Sequence, residues 1–361
     1  MVNNIKNEYF PESVSCPGGT ILDLLEEKGM SQSELAERMG RPKKTINEIL
    51  KGKTAITPDT AIQLERVFGT PASFWNNRQK RYSEYLASVR EKEKLSTYID
   101  WLKSMPIREM IKLGWIPSIK DEIAQLSEVL IFFGVNSPTE WKNIWLKEQT
   151  AYKQSPAFER KPEANSVWLR RGEIEAQRIY CNPFDKEKFI KALKKILPFT
   201  KESPENFEKD LIGLCADAGV AVVFIPPLKG VPVYGATRWL TPQKALIQLS
   251  LYRKYEDYFW FSFFHEAGHI LLHGKRDIFI EEKKKEGKKE NEADAFAREF
   301  LIPMKKWLAF ITSNSTFSET VLKDFAHEMN ISSAIVVGRL QRERKIPFYQ
   351  MNELRRKFRF Q

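Results

Sequence analysis

The sequence predicts a mainly helical protein with one small antiparallel sheet, an α+β fold. Most of the chain repeats apolar residues every three or four positions, the period of an amphipathic helix. Three short segments, residues 219–225, 231–240 and 245–251, are instead rich in strand-forming residues and are separated by proline, glycine and lysine turns. An apolar stretch follows them, and we expect it to form a buried helix against this sheet.

The composition is that of an ordinary soluble protein of two or more domains. Of the 361 residues, 42% are hydrophobic and 29% are charged. We find no apolar run long enough to cross a membrane, and residues 1–6 lack the apolar core of a secretory signal, so we expect a cytoplasmic protein. The three cysteines, Cys16, Cys181 and Cys215, form no C-x-x-C pair, which fits a reducing compartment.

Five short helices are predicted within residues 1–82, beginning near positions 20, 31, 42, 57 and 71. Ser31 and Glu34 form a capping box that opens the second helix, and Gly40 ends it. A third helix that follows across such a tight turn is typical of a helix-turn-helix DNA-binding domain. Four residues of this helix are predicted to face the major groove and two lysines after it to contact phosphates: Lys43, Lys44, Thr45 and Asn47, then Lys51 and Lys53.

A protein-binding module with a solvated basic face is the alternative for these helices. The first 80 residues hold eleven Lys or Arg against ten Asp or Glu, so their charge does not decide between the two. The pattern of the helices favours DNA binding.

The apolar stretch carries His265-Glu266-Ala267-Gly268-His269, an H-E-x-x-H motif. Residues four apart lie on one face of a helix, so the two imidazoles can hold one zinc ion. Glu266 is rotated too far round the helix to be a ligand, but it can reach a metal-bound water as a general base. His273 continues the spacing but lies too far along the helix to share the ion, so we interpret it as a second-sphere or capping residue.

A third protein ligand is needed for a catalytic zinc, and residues 290–302 offer one on a helix that Pro303 ends. The H-E-x-x-H helix followed by E-x-E-A-D-x-F-A-x-x-F-L-I-P resembles the ImmA/IrrE family of zinc metallopeptidases. The metal glutamate of that family stands four residues before a usual Asn, whose place Asp294 takes here. The resemblance therefore implies Glu290 as the ligand, with Glu292 as the alternative, in a zincin-like domain of the gluzincin type.

Residues 235–239 also resemble this family, in which an edge strand would hold an extended substrate peptide by strand addition. Arg238 would then stabilise an oxyanion or a substrate carboxylate. A surface arginine paired with an acid is the alternative interpretation.

Residues 20–82 resemble the Xre-type, lambda-repressor-like module of HigA-like antitoxins, through S-Q-S-E-L-A-E-R-M-G, L-K-G-K-T-A-I-T-P-D-T-A and F-W-N-N-R-Q-K-R-Y. The Trp168-Leu169-Arg170-Arg171-Gly172-Glu173 segment is similar to long HigA-like proteins that carry a fused ImmA/IrrE domain. We therefore expect three regions: a helix-turn-helix domain (1–82), a helical connecting region (83–210) and a zinc peptidase domain with a basic C-terminal tail (211–361). The resemblance also implies a homodimer that binds operator DNA and a cognate toxin or repressor protein.

Two charged segments remain in addition to these motifs. The chain carries a net charge of +11, part of it near the end, where basic residues from Arg342 to Arg359 alternate with aromatic ones. This tail is either a second nucleic-acid contact or a solvated face anchored by its aromatic rings. The lysine-rich residues 281–290 are predicted to form a mobile charged loop whose last residue enters the metal site.

Together these features predict a cytoplasmic DNA-binding regulator, antitoxin-like at its N-terminus, that carries a zinc-dependent endopeptidase acting on a regulatory protein or partner. In one alternative the protein is a HigA-type repressor that neutralises a toxin, and its zinc domain is a sensor or scaffold. In the other it is mainly a protease, and the helix-turn-helix serves as an adaptor that binds a target repressor.

Overall fold

The computed structural model describes residues 14–146, 161–250, 252, 254–274, 279–281 and 287–358. The chain divides into two compact units, Met1–Ile99 and Asp100–Gln361. The predicted fold class, mainly helical with a small sheet, is confirmed. Within the described residues, we find no helix that is both long and apolar enough to cross a membrane.

The described part of the first unit consists of five helices around one apolar core. They are α1 (Pro17–Glu27), α2 (Gln32–Arg38), α3 (Lys43–Leu50), α4 (Pro58–Phe68) and α5 (Ala72–Ser96). Ser31 caps α2 by accepting a hydrogen bond from the Glu34 amide at 3.1 Å, as the capping box predicts. Trp75 is completely buried and joins α5 to this core. α5 continues well beyond the predicted fifth helix.

The second unit begins with helices that lead to the sheet. They are α6 (Ile99–Ser104), α7 (Ile107–Lys112), α8 (Glu122–Phe133), α9 (Pro138–Trp141), α10 (Pro162–Arg178), α11 (Lys186–Ile196) and α12 (Pro204–Asp217). The sheet follows as β1 (Val220–Phe224), β2 (Gly235–Thr241), β3 (Lys244–Leu249) and, later in the chain, β4 (Phe279–Glu281). The remaining helices are α13 (Glu256–Leu272), α14 (Lys288–Leu301), α15 (Met304–Ser313), α16 (Glu319–Glu328) and α17 (Ser333–Arg342).

The sheet is mixed rather than purely antiparallel, which corrects one detail of the prediction. Its strand order is β1-β3-β2-β4, with β1 parallel to β3 and the other two pairs antiparallel. The connection of residues 225–234 carries the chain past the neighbouring position, so β2 starts one strand away from β1. β3 then lies between β1 and β2 and runs parallel to β1.

Two layers of helix cover the sheet. α13 packs against β2 and β3, and α14 packs against α13. α10 packs against β1 and β3, where the Trp168 indole donates to the Ile225 carbonyl and Gln248 donates to the Trp168 carbonyl. α13 therefore lies at the centre of the second unit, and its side chains are buried along nearly its whole length.

Candidate metal centre and helix-turn-helix surface

The two motif histidines face each other on one side of α13. Their Nε2 atoms lie 3.0 Å apart, and both side chains are buried. Gly268, between them, allows close packing of α14, because a Cβ atom at this position would lie 3.3 Å from Cα of Ala293. A larger residue at this position would push away the helix that completes the site.

Glu290 closes the cluster from the first turn of α14. Its two carboxylate oxygens lie 3.3 Å from Nε2 of His265 and 3.3 Å from Nε2 of His269. Zinc held by nitrogen and oxygen at about 2.0–2.2 Å in a tetrahedron places its donor atoms roughly 3.3 Å apart. The spacing of these three side chains therefore fits a zinc ion.

Hydrogen bonds behind the cluster orient both histidines. Nδ1 of His265 lies 2.9 Å from Oδ1 of Asp294, so this nitrogen carries the proton. Nδ1 of His269 lies 2.9 Å from Nδ1 of His273, whose Nε2 lies 3.1 Å from a carboxylate oxygen of Glu292. If His273 donates to Glu292, its Nδ1 accepts from His269. Both Nε2 atoms then present lone pairs to the cluster.

This donor set suits a divalent cation. Two nitrogen lone pairs and a carboxylate converge within 3.3 Å, and Oε2 of Glu290 is buried with no hydrogen bond. Burial lowers the pKa of His269 to about 4, and Glu290 offsets this only in part. Burial alone would raise the pKa of Glu290, but the adjacent imidazoles of His265 and His269 outweigh it, so its pKa is lowered. The cluster thus offers two imidazole nitrogens and one carboxylate, the donor set that a zinc ion takes.

Glu266 points from α13 toward β2. The hydroxyl of Thr237 donates to Oε2 of Glu266 at 2.6 Å, and Glu266 is completely buried. Gly235 allows this approach, since a Cβ atom there would lie 2.7 Å from Oε1 of Glu266. The general base proposed from the sequence is therefore held in one orientation by the strand above it.

β2 does not present a free edge beside Glu266. Residues 235–237 of β2 pair with 281–279 of β4, so strand β4 occupies the edge that was expected to hold a substrate. The expectation of strand addition at this segment is corrected, because the chain between α13 and α14 forms β4, which already pairs with β2 there.

Arg238 is not brought to the metal cluster. Neighbouring residues of a strand point to opposite faces, so Thr237 faces α13 and Arg238 faces α10. There its guanidinium lies 2.8 Å from Glu173 and 5.6 Å from the centre of the Trp145 ring. Of the two interpretations left open from the sequence, the structure therefore has Arg238 in an ion pair with an acid, away from the metal cluster.

The predicted DNA-contacting residues lie on α3 and the turn after it. Lys43, Lys44, Lys51 and Lys53 are exposed, whereas Thr45 and Asn47 are half-buried. Ile46, Ile49 and Leu50 fill the core on the opposite side. α3 thus presents a basic face to solvent and an apolar face to the other helices, as a recognition helix does.

The basic tail packs on the start of α13. Arg355 binds Asp257 in a bidentate ion pair at 2.7–2.9 Å, Arg356 binds Glu256, and Phe358 is buried. These contacts fit the interpretation of a face anchored by its aromatic rings better than that of a nucleic-acid contact. Arg359 lies outside the described residues. Of the lysine-rich loop, residues 282–286 lie outside them, and α14 begins at Lys288.

Sequence reasoning identified the three cluster residues but not the partners that orient them. The pairings of His265 with Asp294 and of His273 with Glu292 were missed, as was the contact of Thr237 with Glu266. For the two histidine pairings the available signal was the four-residue spacing of Glu290 to Asp294 and of His269 to His273, which places the members of each pair on one helix face. The Thr237 contact joins residues 29 positions apart and has no local signal.

Comparisons with known proteins match each unit separately. Residues 21–75 match the family model described as helix-turn-helix, and residues 215–341 match a peptidase family described as IrrE N-terminal-like domain. Virulence-associated protein A of Dichelobacter nodosus is 32% identical over 88 residues, which are 24% of this chain and 82% of that protein. The HTH-type transcriptional regulator YddM of Escherichia coli is 37% identical over 67 residues, 19% of this chain and 71% of that protein.

Solved structures resemble the same N-terminal part. Antitoxin HigA of Pseudomonas aeruginosa, solved with the higBA promoter, is 31% identical and covers 23% of this chain and 90% of its own, with a TM-score of 0.22. An addiction module antidote protein of the HigA family from Coxiella burnetii is 32% identical and covers 23% and 92%, also with a TM-score of 0.22.

Proposed function

Since the chain belongs to the helix-turn-helix family through its first unit and carries an IrrE N-terminal-like domain in its second, we propose that it is a DNA-binding regulator with a zinc-dependent peptidase. The observation that supports the peptidase most directly is the convergence of His265, His269 and Glu290 with both Nε2 atoms turned inward. The likeness of residues 21–75 to transcriptional regulators supports the DNA-binding half.

In the peptidase, His265, His269 and Glu290 would hold zinc, which supplies a polarised water and an electrophile for a peptide carbonyl. Glu266 would accept a proton on its carboxylate and deliver it to the departing amine. Thr237 would keep that carboxylate in place, while Asp294 and His273 would hold the imidazole rings. The apolar residues along α13 would exclude competing water.

In the DNA-binding half, α3 would enter the major groove. Lys43, Lys44, Thr45 and Asn47 would face the bases, and Lys51 and Lys53 would contact phosphates. Such domains read two half-sites as dimers, so we propose a homodimer on operator DNA near the promoter of its own gene. A toxin or a repressor encoded nearby is the proposed partner or substrate.

One comparison tests the peptidase. Wild-type protein and Glu266→Gln, both loaded with zinc, are incubated with the product of the neighbouring gene, and new fragments are sought by mass spectrometry. We expect fragments only with wild type. Should both proteins leave the partner and themselves intact while still binding operator DNA, the second unit is a sensor or scaffold, as in a HigA-type antitoxin that neutralises a toxin.

A further inference from the structure

A large cavity of the second unit opens beside the candidate metal centre. Its volume is about 1320 Å³, and it lies among α13, α14, α17 and the segment of residues 348–357. Asp294, which holds His265, forms part of its wall. Phe261, one helical turn before His265, and Asn291, next to Glu290, form other parts. The cavity is therefore continuous with the elements that build the metal cluster.

The walls of the cavity carry an excess of positive charge. Six basic side chains line it, namely Lys254, Arg298, Arg339, Arg342, Arg355 and Lys357. The three acidic ones are already engaged: Asp257 with Arg355, Glu343 with Arg339, and Asp294 with His265. An excess of three positive charges in a concave site attracts an anionic ligand.

Two of these cations are placed to donate to a ligand. Arg298 and Arg342 each lie 3.7 Å from Oδ2 of Asp294, which is longer than a hydrogen bond. Their side chains are 36% and 50% exposed, so both guanidinium groups reach the solvent. Arg342 also lies 4.3 Å from the centre of the Phe261 ring, which fixes its orientation.

Aromatic rings supply the apolar part of the wall. They are Tyr234, Tyr252, Tyr255, Tyr258, Phe261 and Phe348. Rings of this kind pack against aliphatic and aromatic side chains, and tyrosine also offers a hydroxyl for hydrogen bonding. Cations and rings thus line the same space, and this surface suits a ligand with both carboxylates and apolar groups.

We propose that this cavity binds an acidic stretch of polypeptide, containing apolar side chains, that lies to one side of the bond cut at the metal centre. The inference rests on the proposed peptidase function and names its substrate class. A peptide is favoured over a nucleotide because the volume of the cavity exceeds the roughly 300–1,000 Å³ of a typical small-molecule pocket.

The full-length Glu266→Gln protein, loaded with zinc, provides the test, because peptide binding can be measured without cleavage. The probe is a fluorescent peptide of alternating glutamate and phenylalanine, compared by anisotropy with the same peptide containing glutamine in place of glutamate. We expect the acidic peptide to bind about tenfold tighter at low salt, with the difference shrinking as salt rises. Substituting Arg298→Gln and Arg342→Gln together should remove most of this preference.

Two variants control for folding and for general charge. Arg342→Lys keeps the positive charge and should keep part of the preference, whereas Arg178→Gln removes an arginine of α10 that is 68% exposed and outside the cavity, and should change nothing. Equal binding of the two peptides, or a preference that survives the double substitution, would overturn the proposal. Tighter binding of adenosine triphosphate with the same dependence on the two arginines would also overturn it, in favour of a nucleotide site.

The failure of this inference can be distinguished from failure of the peptidase. If wild type binds the acidic peptide as expected but cuts neither the peptide nor the partner protein, the cavity assignment stands and the proposed peptidase function fails. If wild type cuts the acidic and the glutamine peptides equally well, the peptidase stands and the substrate class is wrong.

Discussion

The hydroxyl of Thr237 donates a hydrogen bond of 2.6 Å to Glu266, joining strand β2 to the centre of helix α13. Both side chains are buried, so this bond orients a carboxylate that water does not reach. It ties the sheet to the general base of the proposed peptidase, and it can be removed without touching the candidate metal ligands.

Thr237→Val should lower the free energy of unfolding by about 1–3 kcal/mol, because the substitution leaves a buried carboxylate oxygen without this donor. Thr237→Ser keeps the hydroxyl and should lose less. The cost of Thr237→Val should shrink when Glu266 is already glutamine, since hydrogen bonds to charged groups are about twice as strong. Chemical denaturation of wild type, Thr237→Val, Glu266→Gln and the double variant measures this coupling. An unchanged cost of Thr237→Val in the Glu266→Gln background would contradict it.

Metal binding separates the direct donors from the residues that orient them. His265→Ala, His269→Ala and Glu290→Ala should each lose most of the zinc, about one ion per chain in wild type, because each removes a donor atom. Asp294→Ala should keep zinc with an affinity about 10–100-fold lower, because it frees the ring of His265.

Two substitutions serve as controls for the zinc measurement. Glu266→Gln should retain zinc fully, and Glu292→Ala should lose less affinity than Asp294→Ala, because it acts only through His273. Competition with a chelating dye gives the affinities. Full zinc in Glu290→Ala together with loss in Glu292→Ala would show that the alternative glutamate is the ligand.

Sequence patterns revealed those features of the site that depend on local spacing. The H-E-x-x-H motif places two imidazoles on one helix face whatever surrounds them, and the resemblance of residues 290–303 to a known family indicated the third donor. The mixed sheet and the pairing of β4 with β2 were not foreseen, because strand order depends on contacts between distant segments. For the same reason two interpretations of Arg238 stayed open: the alternation along β2 is visible in the sequence, but not which face of the strand meets α13.

Base and phosphate contacts should respond differently to substitution on α3. Asn47→Ala should cost about 1–3 kcal/mol of binding at one base position and little at others. Lys51→Ala should weaken binding to all DNA about equally and reduce the slope of the salt dependence by about one. Binding to promoter fragments at several salt concentrations measures both. Salt-independent binding, or no binding to any fragment, would refute the role of α3.

Substitutions at two neighbouring glycines of α1 test how this helix supports α3. A Cβ atom on Gly18 would lie 2.2 Å from the Leu50 carbonyl oxygen, whereas one on Gly19 would meet nothing within 4 Å. Gly18→Ala should therefore destabilise the first unit by about 1–3 kcal/mol and displace the end of α3. Gly19→Ala should be neutral or stabilising by up to about 1 kcal/mol, since alanine favours the helix. Thermal unfolding and operator binding should change together in Gly18→Ala alone.

The partly buried ion pair of Glu173 with Arg238 should appear in the pH dependence of stability. Burial raises the pKa of Glu173, but Arg238 and Arg170 outweigh it, so the pKa lies below its ordinary value of 4.5. A carboxylate whose pKa is lowered by folding stabilises the protein above its unfolded pKa, and this contribution is lost as the pH falls through the folded pKa.

Glu173→Gln should accordingly be less stable than wild type at pH 7 by about 1–3 kcal/mol, because it leaves the largely buried guanidinium of Arg238 without its partner charge. The difference should narrow as the pH falls from about 4.5, where the unfolded chain begins to take up the proton, through the lower pKa of folded Glu173, where wild type also loses the charge. Glu319→Gln, which breaks an exposed pair with Lys323, is the matched control and should stay within about 0.5 kcal/mol of wild type throughout. Denaturant unfolding across this range measures both differences. A gap for Glu173→Gln that is the same at every pH would mean that packing, rather than the ion pair, holds Arg238 against α10.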